Sequence, residues 1–156
     1  MVIKAEPISA AAFRPFGALA SHVAGEPLHV VGAAFAHLPD ATIPALEWVR
    51  PPAMVTLPIV VDRLERHPFS AQTFLPQGNS PFLVVVCGSA ADGGPDAASA
   101  RAFLVPDTVG ATFAAGVWHR SLAPLVPDTA FIMAMMRTGR DDDTEFRDLP
   151  APLHIG

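Results

Sequence analysis

The sequence predicts an all-β fold, a jelly-roll barrel with one short N-terminal helix. Three observations carry that prediction. Seventeen prolines and eleven glycines are spread over 156 residues. Proline removes a backbone donor and clashes with the preceding turn, so long helices have little room. Hydrophobic residues make up 51% and charged residues 16%, which is enough to bury a core in one domain spanning 1–156. Short apolar or alternating runs recur between Pro and Gly breaks, giving roughly nine or ten strands at the spacing of barrels and sandwiches.

In chain order, Ser9 is placed to cap a short helix, Ala10-Ala11-Ala12-Phe13, that stops before Pro15. Residues 28–37 are small and apolar around Gly32 and read as a strand with a bulge or close contact. Pro39-Asp40 and Pro51-Pro52 are breaks. Residues 54–67 form the longest extended candidate, with Pro58 demoting its first part to an edge or bulge. From Val61 onward, strand alternation puts Arg63, Glu65 and His67 on one face and Leu64 and Arg66 on the other. Pro68 turns the chain into a strand at 71–75, and the continuous apolar run 82–87 suits a strand buried on both faces. The Gly-Ser-Asp-Pro composition of 88–99 marks a surface loop. Further strands are expected at 101–105, 111–115, 120–125 and 129–136. Residues 138–143, with Asp141, Asp142 and Asp143, read as a solvated turn, and 150–156 as a tail without periodicity.

Composition also narrows the partners. The formal net charge is −5 and no basic stripe is visible, which argues against nucleic acid. The longest apolar runs, 82–87 and 130–136, are too short to span a bilayer as helices. The first residues lack the basic-then-apolar profile of a secretory signal. The lone Cys87 excludes an internal disulfide and a thiolate knuckle, and reads as a packed, inert thiol. A cytoplasmic protein acting on a small molecule is the expectation. His22, His29, His37 and His154 have no partner at ligand spacing, and Met133, Met135 and Met136 read as core.

One constellation carries chemistry. Glu65-x-His67 is followed after four residues by Gln72 and then by Gly78, and a distant Gly116-x-x-His119 supplies a second imidazole. Adjacent strands of a barrel bring such groups into one cavity. The spacing follows the metal-ligand ladder of cupin barrels, His-x-His, four residues, Glu, with two substitutions. Two imidazoles, a carboxylate and an amide oxygen suit a borderline or hard divalent ion such as nickel, manganese or iron. The competing explanation is structural: Glu65 and Arg66 as a surface pair, and His67 as a hydrogen-bonded core or rim residue. Trp118, beside His119, either walls the pocket or fills the core.

The segments Leu57-Pro58-Ile59, Leu64-Glu65-Arg66-His67-Pro68, Gln72-Thr73-Phe74-Leu75-Pro76 and Gly116-Val117-Trp118-His119 resemble the ureidoglycolate lyase family. The order of elements is similar over nearly the whole chain, from Ile8-Ser9 onward. The resemblance implies a cupin-like β-barrel, usually dimeric, with a divalent metal (nickel or manganese) and no organic cofactor. It implies release of urea from (S)-ureidoglycolate to give glyoxylate, late in allantoin and purine degradation. Mapped onto this chain, Glu65, His67 and His119 are the catalytic candidates, and His67, Gln72, His119 and Glu65 the metal-ligand candidates. Arg50, Gln72, Trp118 and Arg120 are the substrate-binding candidates, with either arginine a clamp for a carboxylate or a solvated strand edge.

The chain also departs from the family pattern. Arg120 stands where a second histidine usually follows the Trp-His pair. Val31 stands for an asparagine, Ala36 or a neighbour for an arginine, and Met135 or Met136 for an acidic residue. Two other functions stay open on the same barrel: a different small-molecule cupin enzyme acting on an organic acid, and a non-catalytic ligand-binding module.

Overall fold

Backbone pairing sorts the strands into two sheets that share a core. The structure, a computed structural model, describes residues 1–22 and 25–156. The elements are β1 (Val2–Ile3), β2 (Glu6–Pro7), α1 (Ala10–Phe13), β3 (Gly17–Ser21), β4 (Ile43–Val49), β5 (Ile59–Arg66), β6 (Gln72–Gln77) and β7 (Phe82–Cys87). A 3-10 turn (Ala97–Ser99) precedes β8 (Arg101–Val105), β9 (Val109–Phe113), β10 (Trp118–His119), β11 (Ala123–Pro124), β12 (Ala130–Arg137) and β13 (Glu145–Ile155). The larger sheet runs β1-β13-β5-β10-β7-β8-β2, with β11 also on β7, and the smaller runs β3-β9-β6-β12-β4. This is the all-β, cupin-like jelly roll that the punctuated sequence predicts.

Strand alternation fills the space between the sheets. Phe82, Val84 and Val86 of β7 and Phe103 and Val105 of β8 meet Phe74, Phe113, Phe131, Met133 and Met135 from the smaller sheet. The helix forms as expected, with Ser9 Oγ accepting from the Ala12 N–H at 3.3 Å. It delivers Phe13 edge-on to Phe103 and Phe113, at centroid distances of 5.8 and 6.0 Å. Gly17 follows because a Cβ there would lie 1.8 Å from the Thr112 carbonyl oxygen. On its reverse face the larger sheet builds a second core, from Leu83, Val85 and Cys87 of β7 with Leu64, Trp118 and Leu153. All six residues of β7 are therefore buried, which is why that stretch carries no polar position. Burial, then the charge of Asp96, pushes the Cys87 thiol up to about 12, consistent with an inert residue.

Four local expectations are corrected. Residues 28–37 form no strand; only His37 bridges to Ser70. The segment covers the smaller sheet instead, its Ala34 and Ala36 carbonyls accepting from Thr73 Oγ1 and the Ala71 N–H. Strand β4 was hidden by Pro44, which an edge strand tolerates. The expected strand 120–125 is reduced to the two residues of β11, and the short β10 lies just before the expected span. The expected tail 150–156 is the end of β13, paired with β5 and with β1. Pro150 and Pro152 fall where its register shifts between Asp148 and Leu153. No helix among the described residues is long and apolar enough to cross a membrane.

Candidate active site

Two sheets contribute to one cluster. Glu65 lies near the end of β5 with His67 just beyond it, His119 lies on β10, and Gln72 opens β6 on the smaller sheet. Glu65 and His119 are directly paired across β5 and β10, so their side chains share a face. Gly116 makes the turn before β10 with φ +78°, and its N–H donates to the His67 carbonyl at 2.9 Å. The Gly-x-x-His spacing therefore docks one imidazole segment onto the other.

The ligating atoms of Glu65, His67 and His119 all lie within 4.8 Å of one another. His119 Nε2 is 3.2 Å from Gln72 Oε1 and 3.6 Å from Glu65 Oε1. Each histidine uses Nδ1 for a backbone carbonyl: His119 to Val117 at 2.9 Å and His67 to Asp143 at 2.9 Å. With each Nδ1 engaged by a carbonyl, the Nε2 atoms of both rings turn toward the cluster. His67 Nε2 is buried and unpartnered among the described residues, a state that costs stability unless a cation or donor meets it. Burial, then the neighbouring His67, lowers the His119 pKa to about 3, against a weaker opposing effect of the Val117 carbonyl. Phe113 stacks on the His119 ring at 4.3 Å and 3°. The cluster brings imidazole nitrogens, a carboxylate and an amide oxygen together, a donor set that suits a divalent ion.

The remaining candidates separate. Arg120 is half-buried one residue beyond His119; burial lowers its pKa and the nearby Glu65 raises it. It lines a cleft of about 450 Å³ together with Ser121. Arg50 is exposed and lines a different cleft of about 230 Å³ with Pro127 and Asp128. Trp118 points the opposite way from His119 and is fully buried in the second core. Its Nε1 donates to the Gly93 carbonyl at 3.2 Å, and the Arg66 guanidinium covers its ring at 4.6 Å. The expectation that Trp118 contacts substrate is replaced by a packing position, because neighbours on a strand face opposite sides. Met135 packs in the core opposite Gln72, so an apolar side chain occupies that register. His22, His29, His37 and His154 are exposed, as expected.

Three contacts went unnoticed in the sequence. Ser121 Oγ donates to Glu65 Oε2 at 2.8 Å, and its i, i+2 relation to His119 on an extended segment was the available signal. Thr144 Oγ1 lies 3.3 Å from His67 Nδ1, and Phe113 forms the stack described above; neither has a local sequence signature.

A two-sheet jelly roll that gathers the buried His67 and His119 with the partly exposed Glu65 has the architecture of a cupin-like barrel. Residues 1–155 match the family model described as ureidoglycolate lyase, and the chain belongs to that family. A protein of Agrobacterium fabrum is 39% identical over 153 residues, covering 98% of this chain and 94% of its own. A relative from Chelativorans named ureidoglycolate lyase is 29% identical over 163 residues, covering 98% of this chain and 95% of its own. One of the same name from Brucella ovis is 40% identical over 88 residues, 56% of this chain and 50% of its own.

Proposed function

We propose that the chain releases urea from (S)-ureidoglycolate and leaves glyoxylate, at the cluster of Glu65, His67, Gln72 and His119. The observation that carries this, beside family membership, is the convergence of three ligating atoms within 4.8 Å with both histidine Nε2 atoms facing inward. The reaction needs a base for the substrate hydroxyl, an acid for the leaving nitrogen and a holder for the carboxylate. Glu65 suits the base: Ser121 holds its Oε2, which leaves Oε1 directed at the cluster. As the hydroxyl proton passes to Glu65, the carbon–nitrogen bond breaks, and the same carboxyl returns the proton to the departing urea. Arg120, half-buried beside Glu65, pairs with the substrate carboxylate; its position favours it over Arg50. His67, His119 and Gln72 would hold a divalent ion, nickel or manganese, which would lower the hydroxyl pKa and fix the hydroxyl and carboxylate together.

This reading takes residues 1–156 as one domain and places the reaction in the cytoplasm, within allantoin and purine degradation. It includes a homodimer. Leu46 and Trp48 of the edge strand β4 are 73% and 71% exposed on one face, beside Ile132. Such an apolar strip is covered when a second copy docks. The test of the activity is incubation of purified protein with (S)-ureidoglycolate and coupled detection of glyoxylate. Release above the spontaneous rate supports the reading, and release at that rate refutes it.

A further inference from the structure

The main chain of His67 is fixed at its carbonyl, where the Gly116 N–H donates at 2.9 Å. Its ring is fixed by other means. Nε2 is buried without a partner among the described residues, so the orientation of the imidazole depends on what holds Nδ1. That task falls to the turn between β12 and β13, which joins the smaller sheet to the larger. The Asp143 carbonyl lies 2.9 Å from Nδ1, and Thr144 Oγ1 lies 3.3 Å from the same atom. The two contacts are not equivalent. A hydroxyl donates or accepts and so serves either tautomer of the ring. A carbonyl only accepts, and serves the ring whose hydrogen is on Nδ1.

The turn is built to keep that carbonyl in place. Asp143 Oδ1 accepts from the Thr138 N–H at 2.8 Å, so the side chain of Asp143 closes the loop that carries its own carbonyl. Arg140 pins the outer end: its guanidinium lies 5.2 Å over the Phe69 ring, two residues beyond His67, and its Nε donates to Asp142 at 3.1 Å. On the inner side, Glu145 accepts from Arg66 Nε at 2.8 Å where β13 pairs with β5. The three consecutive aspartates therefore differ. Asp141 and Asp142 are exposed, as a solvated turn requires, whereas Asp143 is half-buried and faces back into the loop.

We infer that Asp143 is a positioning residue for the cluster. Its carboxylate closes the turn, its carbonyl holds the His67 ring with the hydrogen on Nδ1, and Nε2 is left as a lone-pair donor toward Glu65 and His119. The inference rests on the cluster being the site of the lyase reading, and deepens it. Asp143 acts through His67 and touches no reacting atom. The carbonyl belongs to the backbone and survives any substitution at 143, so only its placement changes. Asp143→Ala removes the acceptor that closes the turn. Asp143→Asn keeps an oxygen for the Thr138 N–H and keeps the turn closed.

Two readouts test this without turnover. The first is imidazole 15N NMR of the full-length, metal-free chain above neutral pH, with the His67 signals assigned by comparison with His67→Gln. The parent is expected to carry hydrogen on Nδ1 and a bare Nε2, and Asp143→Ala to show signals averaged over both tautomers. The second is the affinity of the tag-free chain for nickel(II) by calorimetry, expected to fall about tenfold or more in Asp143→Ala, to return to the parent value in Asp143→Asn, and to be unchanged in Asp141→Ala. Glyoxylate release from ureidoglycolate is measured on the same proteins and should follow the metal affinity. A parent ring with its hydrogen on Nε2 overturns the inference without recourse to any variant. Parent-like ring signals and affinity in Asp143→Ala overturn it too, as does an Asp143→Asn variant no better than the alanine. The expected ring signals and asparagine rescue, alongside glyoxylate release at the spontaneous rate in every protein, uphold this inference and refute the lyase reading.

Discussion

Lowering the pH should unfold the metal-free protein through His119. Its folded pKa is depressed to about 3 from 6.5, mainly because the ring is fully buried and then because of His67. Between these values the unfolded chain binds a proton that the folded chain refuses, so stability is present above pH 6.5 and is lost as pH falls. The slope is about 1.4 kcal/mol per pH unit inside the window. From pH 7 to pH 5 the loss is about 2 kcal/mol, which moves a urea midpoint by about 1 M for a domain of this size. Glu145 does not confuse this range. Burial pushes it up, but hydrogen bonds from Arg66 and Arg147 outweigh that and lower its pKa below 4.5, so its contribution is lost only at lower pH. The assay is urea denaturation followed by tryptophan fluorescence in the presence of a chelator, at pH 7, 6 and 5, on the parent protein and on His119→Gln. The variant's overall stability is immaterial, because only the pH slopes are compared. Equal slopes in the two proteins would refute the claim that a neutral, buried His119 sets the acid limit.

Three further outcomes follow from the same geometry. His119→Ala lowers divalent-metal occupancy sharply while far-UV circular dichroism stays that of the parent; unchanged metal content would remove His119 from the site. Arg120→Ala raises KM for ureidoglycolate by about tenfold or more, as loss of a charge-assisted pair at a carboxylate would, and an unaltered KM would return the clamp to Arg50. Trp48→Lys converts a dimer to a monomer in sedimentation equilibrium, with the glyoxylate assay reporting whether the active site survives; a parent protein already monomeric would discard the interface.

Much of the fold is legible locally. The Ser9 cap, the apolar run of β7 and the Pro and Gly breaks each act through short-range sterics or hydrogen bonding, and each lands where the sequence puts it. The cluster was legible for the same kind of reason. Glu65 and His67 share a face by strand alternation, and a glycine three residues before His119 makes the turn that brings it alongside. Elsewhere local pattern misleads. Residues 28–37 are apolar enough for a strand but lie across a sheet as cover, and the proline-rich end of β13 pairs only because β5 and β1 flank it.

By its own residues, then, the chain determines a proline-punctuated all-β fold and the donors of one cluster, because turn chemistry and two-residue periodicity act within a few positions. Which way Trp118 faces and that Ser121 grips Glu65 were decided by tertiary structure alone. Those features depend on which distant strand lies alongside, and a sequence window contains only one side of that contact.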